Sequence, residues 1–174
     1  MEVFLNFPPR RWKMYNSRMN IQRLDKSQAI PWDLLLLADP SKKLVEEYVK
    51  DGLMNVAIID NKIVAEYVLL DRGNGLAEVM NIAVDEKFQG QGIGKQLLMH
   101  AIKTAKYIGF KIVEIGTSNA SHAQLALYQK CGFKIYHIKK NFFVDNYDEE
   151  IYDNGVKCVD MIMLSCKLNS LSFH

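Results

Sequence analysis

The chain of 174 residues is short of cysteine, of long apolar runs and of any excess of charge, and each shortage closes off a class of protein. Its three cysteines, Cys131, Cys158 and Cys166, are odd in number and form no CxxC pair. Neither a disulfide framework nor a zinc knuckle is expected, and the compartment is taken as reducing, the cytoplasm. No apolar run approaches the ~20 residues that span a bilayer, so no membrane partner is expected. The longest, 63–70 and 159–164, read as strands. A net charge of +2 excludes the concentrated basic face of a nucleic-acid binder. His100, His122, His137 and His174 lack metal-ligand spacing and read as surface or packed residues, so no metal is expected. What remains is an ordinary globular composition, 49% hydrophobic and 24% charged, of a length that fits one domain.

The stretch 77–99, AEVMNIAVDEKFQGQGIGKQLLM, organises the rest. A β-rich apolar run over 79–84 meets a charged turn (Asp85, Glu86, Lys87), then Gln89-Gly90-Gln91-Gly92-Ile93-Gly94-Lys95. Ile93, Leu97, Leu98, Ala101, Ile102 and Ala105 then recur at helical spacing. Glycines at the start of a helix let backbone N–H groups approach a bulky anion, and the positive end of the helix favours phosphate there. Two familiar phosphate loops fail. A Walker A loop needs glycine at 89 and Ser or Thr at 96, where this chain has Gln89 and Gln96. A dinucleotide fingerprint needs its last glycine where Lys95 or Leu97 stands.

Gln-x-x-Gly-x-Gly after a strand ending Asn81-Ile82-Ala83-Val84 resembles the acetyl-CoA pyrophosphate loop of the GNAT family of N-acetyltransferases. A second string, Asn119 followed by Leu127-Tyr128 and then Gly132-Phe133, resembles the distal pattern of that family. The resemblance covers roughly residues 19 to 167. It implies an α/β fold with a mixed central sheet of about seven strands flanked by about four helices. It also implies acetyl-CoA as co-substrate, held by Ile82, Ala83, Val84, the loop Gln89 to Lys95 (Gln89, Gly90, Gln91, Gly92, Ile93, Gly94, Lys95) and Asn119. A homodimer is compatible with it.

Along the chain, residues 1–18 carry Pro8-Pro9 and clustered arginines without an apolar period, and are expected to lie outside a single domain over 19–170. They read as an appendage or as the product of an upstream start codon. Strands are expected over 21–24, 54–59 and 63–70, the last two as a hairpin turning at Asp60-Asn61-Lys62. Helices are expected over 30–38 and 44–50, the second capped by Ser41 and stopped at Gly52. After the central unit come a strand over 111–116 and a helix over 123–130, with Ser121 and Gln124 as a capping box and Gly132 as its left-handed cap. Strands over 134–140 and 156–166 flank a long loop, 141–155.

Acetyl transfer to an amine needs a base. An alkylamine of pKa ~10.4 is free base only to the order of 0.1% at neutral pH, a deficit of about 4 kcal/mol. Glu78, eleven positions before Gln89, resembles the general-base glutamate of the histone-acetyltransferase branch, acting directly or through water. Desolvation by Val79 and Met80 would raise its pKa. The alternative is an exposed or salt-bridged strand residue. Tyr128 matches the tyrosine that protonates the departing thiolate in similar enzymes, the alternative being a core tyrosine. The N–H of Ile82 occupies the family's oxyanion position. Cys131 is set aside as a nucleophile because a helix C-terminus disfavours thiolate. The acidic and aromatic loop 141–155 (Asp145, Asp148, Glu149, Glu150 and Asp153 among Phe142, Phe143, Tyr147 and Tyr152) is expected to attract a cationic acceptor. The expected activity is therefore acetyl transfer from acetyl-CoA to a primary amine, small or peptidic. The alternative is an acyl-CoA sensor without turnover.

Overall fold

The computed structural model describes residues 19–25 and 27–168. The expectations for residues 1–18, and for the domain end at 170, lie outside the described residues. Among these described residues nine strands and five helices follow in the order β1 (Asn20–Arg23), α1 (Trp32–Ala38), α2 (Lys42–Asp51), β2 (Leu53–Ile59), β3 (Lys62–Gly73), β4 (Leu76–Val84), α3 (Ile93–Ile108), β5 (Ile112–Ser118), α4 (His122–Lys130), β6 (Lys134–Lys139), α5 (Phe142–Asn146), β7 (Tyr152–Asp153), β8 (Val156–Lys157) and β9 (Met161–Lys167). The charged turn after β4 closes as a single 3-10 turn, Glu86–Phe88.

Seven strands form one sheet in the order β1-β2-β3-β4-β5-β9-β6, and β7 and β8 form a separate ribbon. Tight turns set the antiparallel half. Asp60 and Asn61 both adopt positive φ (48° and 62°), the two-residue hairpin geometry that Asp and Asn tolerate. The one parallel pair, β4 with β5, is joined by α3. Alternation along the strands divides the core by sheet face. On one face, Leu97, Leu98, Ala101 and Ala105 of α3 and Tyr128 of α4 pack on Tyr67, Leu69, Val113 and Ile115. On the other, Leu35 of α1 with Val45 and Tyr48 of α2 packs on Met54, Val56 and Val68.

Four local expectations change. Gly52 stops α2, but in extended backbone (φ −75°). A Cβ there would come within 2.4 Å of Val68 Cγ1, so close approach is what excludes larger residues. The capping box at Ser121 does not form: its hydroxyl donates to Asp153 Oδ2 at 2.6 Å, a charged acceptor that outcompetes a backbone cap. The strand expected over 156–166 is broken at Cys158–Asp160, its first part pairing with β7 rather than the main sheet. The long loop contains α5 and β7, because a strand too short to join the sheet can still close its own hairpin. Asn154 and Gly155, both at positive φ, make that turn.

Candidate active site

Antiparallel pairing of β3 with β4 shifts register between Val68 and Leu69, so that Val68 faces Asn81 while Leu69 faces Val79. Met80 is the extra residue, a bulge that bends β4. On its other side β4 pairs with β5 only as far as Val79 with Ile115. Beyond that point Met80 to Val84 have no partner on β5, and β5 turns to β9 alone. The two strands separate there. Ile82, Ala83 and Val84 line the β4 side of the opening, on an edge that β5 does not cover.

The glycine loop lies at the end of the same strand. Gly90 (φ 71°) and Gly92 (φ 77°) hold left-handed backbone, Gly92 as the N-cap of α3. Glycine is needed at both for conformation, and nothing lies within 4 Å of where a Cβ of Gly90 would stand. Gln89 donates from Nε2 to the Val84 carbonyl at 2.9 Å, tying the loop back onto β4. The Gly92 carbonyl accepts the first helical bond, from Gln96, which leaves the N–H groups of Ile93, Gly94 and Lys95 without intrahelical acceptors. Gly94 is different: it is helical, and a Cβ there would meet Leu127 Cδ2 at 3.7 Å and Val84 Cγ2 at 3.8 Å, ordinary van der Waals distances. This arrangement fits a diphosphate at the helix end with an extended chain leading from it into the strand opening.

Glu78 lies one pair before the separation, on the α1/α2 face, its residue 8% exposed. Arg72 Nε stands 3.1 Å from its Oε2. Burial raises its pKa; Arg72 and Lys139 pull it back, and Glu114 pushes it further up. Both the desolvated and the salt-bridged alternatives are thus partly realised in one side chain. Glu114, directly opposite in the parallel register, is a second carboxylate that sequence reasoning missed. Only the β4/β5 register brings it beside Glu78, and no local motif marks it. Tyr136 stands next to it, its phenol pushed up to about 12 by burial and by Glu114.

Tyr128 is buried on the opposite face, its ring 6.4 Å from that of Phe133. Its hydroxyl makes no hydrogen bond to a described residue, and desolvation raises its pKa. Asn119, at the end of β5, ties down the 157–160 turn. Its Oδ1 accepts from the N–H groups of Val159 (2.8 Å) and Asp160 (3.0 Å), and its Nδ2 donates to the Lys157 carbonyl (3.2 Å). Burial raises the Cys131 thiol further than Lys95 lowers it, consistent with its exclusion as a nucleophile. In the 141–155 segment, Glu150 pairs with Lys157 and Asp153 with Ser121, so part of the expected acidic attraction is consumed internally. Among the described residues no cluster of three or more His, Cys, Asp or Glu could hold a metal, and no helix is long and apolar enough to cross a membrane.

Comparison with known proteins agrees with this geometry. The family described as "Acetyltransferase (GNAT) domain" matches residues 50–135. The chain is 46% identical over 151 residues to an N-acetyltransferase of Bacillus subtilis named YvbK and described as uncharacterized, covering 84% of this chain and 97% of that one. A crystal structure of a GNAT family acetyltransferase from Elizabethkingia anophelis with acetyl-CoA bound superposes with a TM-score of 0.85 at 49% identity, over 87% of this chain and 99% of that one. A Bacillus subtilis acetyltransferase in complex with CoA gives 0.83 at 44% identity, over 87% and 100%. With a bulged β4 parting from β5 and a glycine loop opening α3, and with relatives this close over nearly the whole domain, the chain belongs to the GNAT family of acetyltransferases.

Proposed function

We propose that the protein moves an acetyl group from acetyl-CoA to a primary amine by direct attack. The observation that carries this is the alignment of two features at one place: the strand opening past Val79 and Ile115, and the N–H groups at the head of α3. Gly90, Gly92 and the N–H groups of Ile93, Gly94 and Lys95 would hold the diphosphate. The free edge of Ile82, Ala83 and Val84 would hold the arm that ends in the thioester. Bound acetyl-CoA supplies the activated acetyl group.

Glu78 is the base in this reading. Burial raises the pKa of its carboxyl and so makes it a better proton acceptor, while Arg72 moderates that rise. It takes the amine proton as nitrogen attacks, directly or through water. The Ile82 N–H polarises the carbonyl. Tyr128 serves the departing sulfur. Because burial raises its pKa well above that of a thiol (~8.5), the phenol stays protonated and acts as a hydrogen-bond donor to sulfur rather than surrendering its proton fully.

Release of CoA thiol, measured with acetyl-CoA and a panel of primary amines, tests the proposal. Amine-dependent release is expected. Acetyl-CoA binding without release for any amine would favour the sensor reading instead.

A further inference from the structure

The α1/α2 face of the sheet carries a polar chain that neither the glycine loop nor the Glu78/Glu114 pair uses. Asn81, 3% exposed, donates from Nδ2 to the Leu35 carbonyl (3.0 Å) and to the Tyr48 hydroxyl (2.8 Å). That leaves the Tyr48 proton for Asp39 Oδ2, at 3.4 Å. Asp39 Oδ1 accepts from the Ser41 N–H (3.0 Å) and from the Tyr147 hydroxyl (3.1 Å). Asp39 caps α1, which packs on β4, whereas Tyr147 follows α5, in the segment that leaves β6 at the far edge of the sheet. The same segment is fastened to the end of β5 by Asn119, and Phe143 N–H bonds the Val159 carbonyl. It therefore crosses the sheet at the place where β4 and β5 separate. Phe143 stacks on Tyr147 (5.6 Å between centroids), and Phe142 meets both edge-on.

Asp39 has no cationic partner among the described residues. Its three partners are neutral, it forms no ion pair with a described residue, and half-burial raises its pKa. Glu66 on the same face is 0% exposed, and among the described residues neither its carboxylate oxygens nor Asn81 Oδ1 has a hydrogen-bond partner. Tyr48 feels both Asp39 and Glu66. A half-buried carboxylate such as Asp39 without a counter-charge is costly, and the aromatic faces beside it suit an ammonium group.

We propose that Asp39 receives the remote ammonium group of an α,ω-diamine acceptor whose other amine enters at the β4–β5 opening, with Tyr147 holding the carboxylate until the cation replaces it. A charged donor makes the stronger bond to a carboxylate, so an ammonium displaces a phenol. The inference rests on the amine-acetylation reading and narrows its substrate to dications.

The test is steady-state kinetics of the full chain with straight-chain diamines and with monoamines of equal carbon count. Diamines are expected to show kcat/KM about tenfold or more above their matched monoamines. Asp39→Asn should bring that ratio close to one by raising the diamine KM far more than the monoamine KM, with acetyl-CoA affinity measured as the check that the site is still folded. Asp39→Glu, which keeps the charge, should retain the preference. Equal rates for diamines and monoamines in the parent overturn the proposal while leaving amine acetylation standing. So does a preference that survives Asp39→Asn, or one lost equally in the Asn and Glu variants. No thiol release with either kind of amine overturns both readings together.

Discussion

At the scale of single residues, Tyr128 and Glu78 should fail in different ways. Tyr128→Phe keeps the ring against Phe133 and removes only the donor, so acetyl-CoA affinity should hold while kcat falls by ~10²-fold. A thermal-shift titration and a turnover assay separate the two quantities; an unchanged kcat would leave Tyr128 as core packing. Glu78→Gln should lose least at high pH, where more of the amine is already unprotonated. Its ion pair supplies a second handle. Arg72 lowers the Glu78 pKa, so Arg72→Gln should move the acidic limb of the kcat/KM profile to higher pH. A limb that stays in place in both variants would assign the base to another group, with Glu114 the neighbour to examine.

At the scale of elements, the head of α3 separates conformation from binding. Gly94 is helical and has only ordinary van der Waals neighbours, so Gly94→Ala should fold and gain up to about 1 kcal/mol of helix propensity. Gly94→Glu should fold nearly as well but lose acetyl-CoA binding, because it places negative charge where the diphosphate would sit. Melting curves with and without acetyl-CoA check both. Stabilisation of Gly94→Glu by acetyl-CoA equal to that of the parent would move the diphosphate elsewhere. Elements also explain where local sequence rules misled. Ser121 and Gln124 have the right spacing for a capping box, yet Asp153, more than thirty residues away by number, takes the hydroxyl. Asn119, which matches the family string, also fastens the 157–160 turn through its carboxamide, a role its sequence position does not show.

At the scale of the whole molecule, Glu66 makes stability depend on pH. Burial pushes its pKa up to about 8 from 4.5; the Ala83 N–H pulls it partway back without forming a bond of good geometry. The unfolded chain therefore releases this proton at lower pH than the folded one. The stability is fully present below about pH 4.5 and is lost as pH rises towards about 8. Glu66→Gln should remove this dependence and be more stable than the parent at alkaline pH by on the order of a few kcal/mol. Denaturant unfolding of both proteins at acidic and alkaline pH measures it. Parallel behaviour of the two across that range would mean that Glu66 is ionised in the folded protein or hydrated within it.

What the sequence determined by itself is what short range can encode. Period-two and period-3.6 apolar patterns, Ser41 as a cap, Asp60-Asn61 as a hairpin turn and the glycines before α3 all act on backbone within a few residues, so they are legible in order along the chain. They sufficed for most elements in order and for the glycine turn that opens α3, while the mixed sheet was implied by the resemblance to the GNAT family. Only the tertiary structure decided what depends on register and on long closure: that Glu114 lies opposite Glu78, that Glu66 is sealed without a partner among the described residues, and that Tyr147 reaches Asp39 across 108 residues. Such pairings are set by sheet register and by which face each strand buries. A side chain carries no local mark of the residue that will stand opposite it once the sheet has formed.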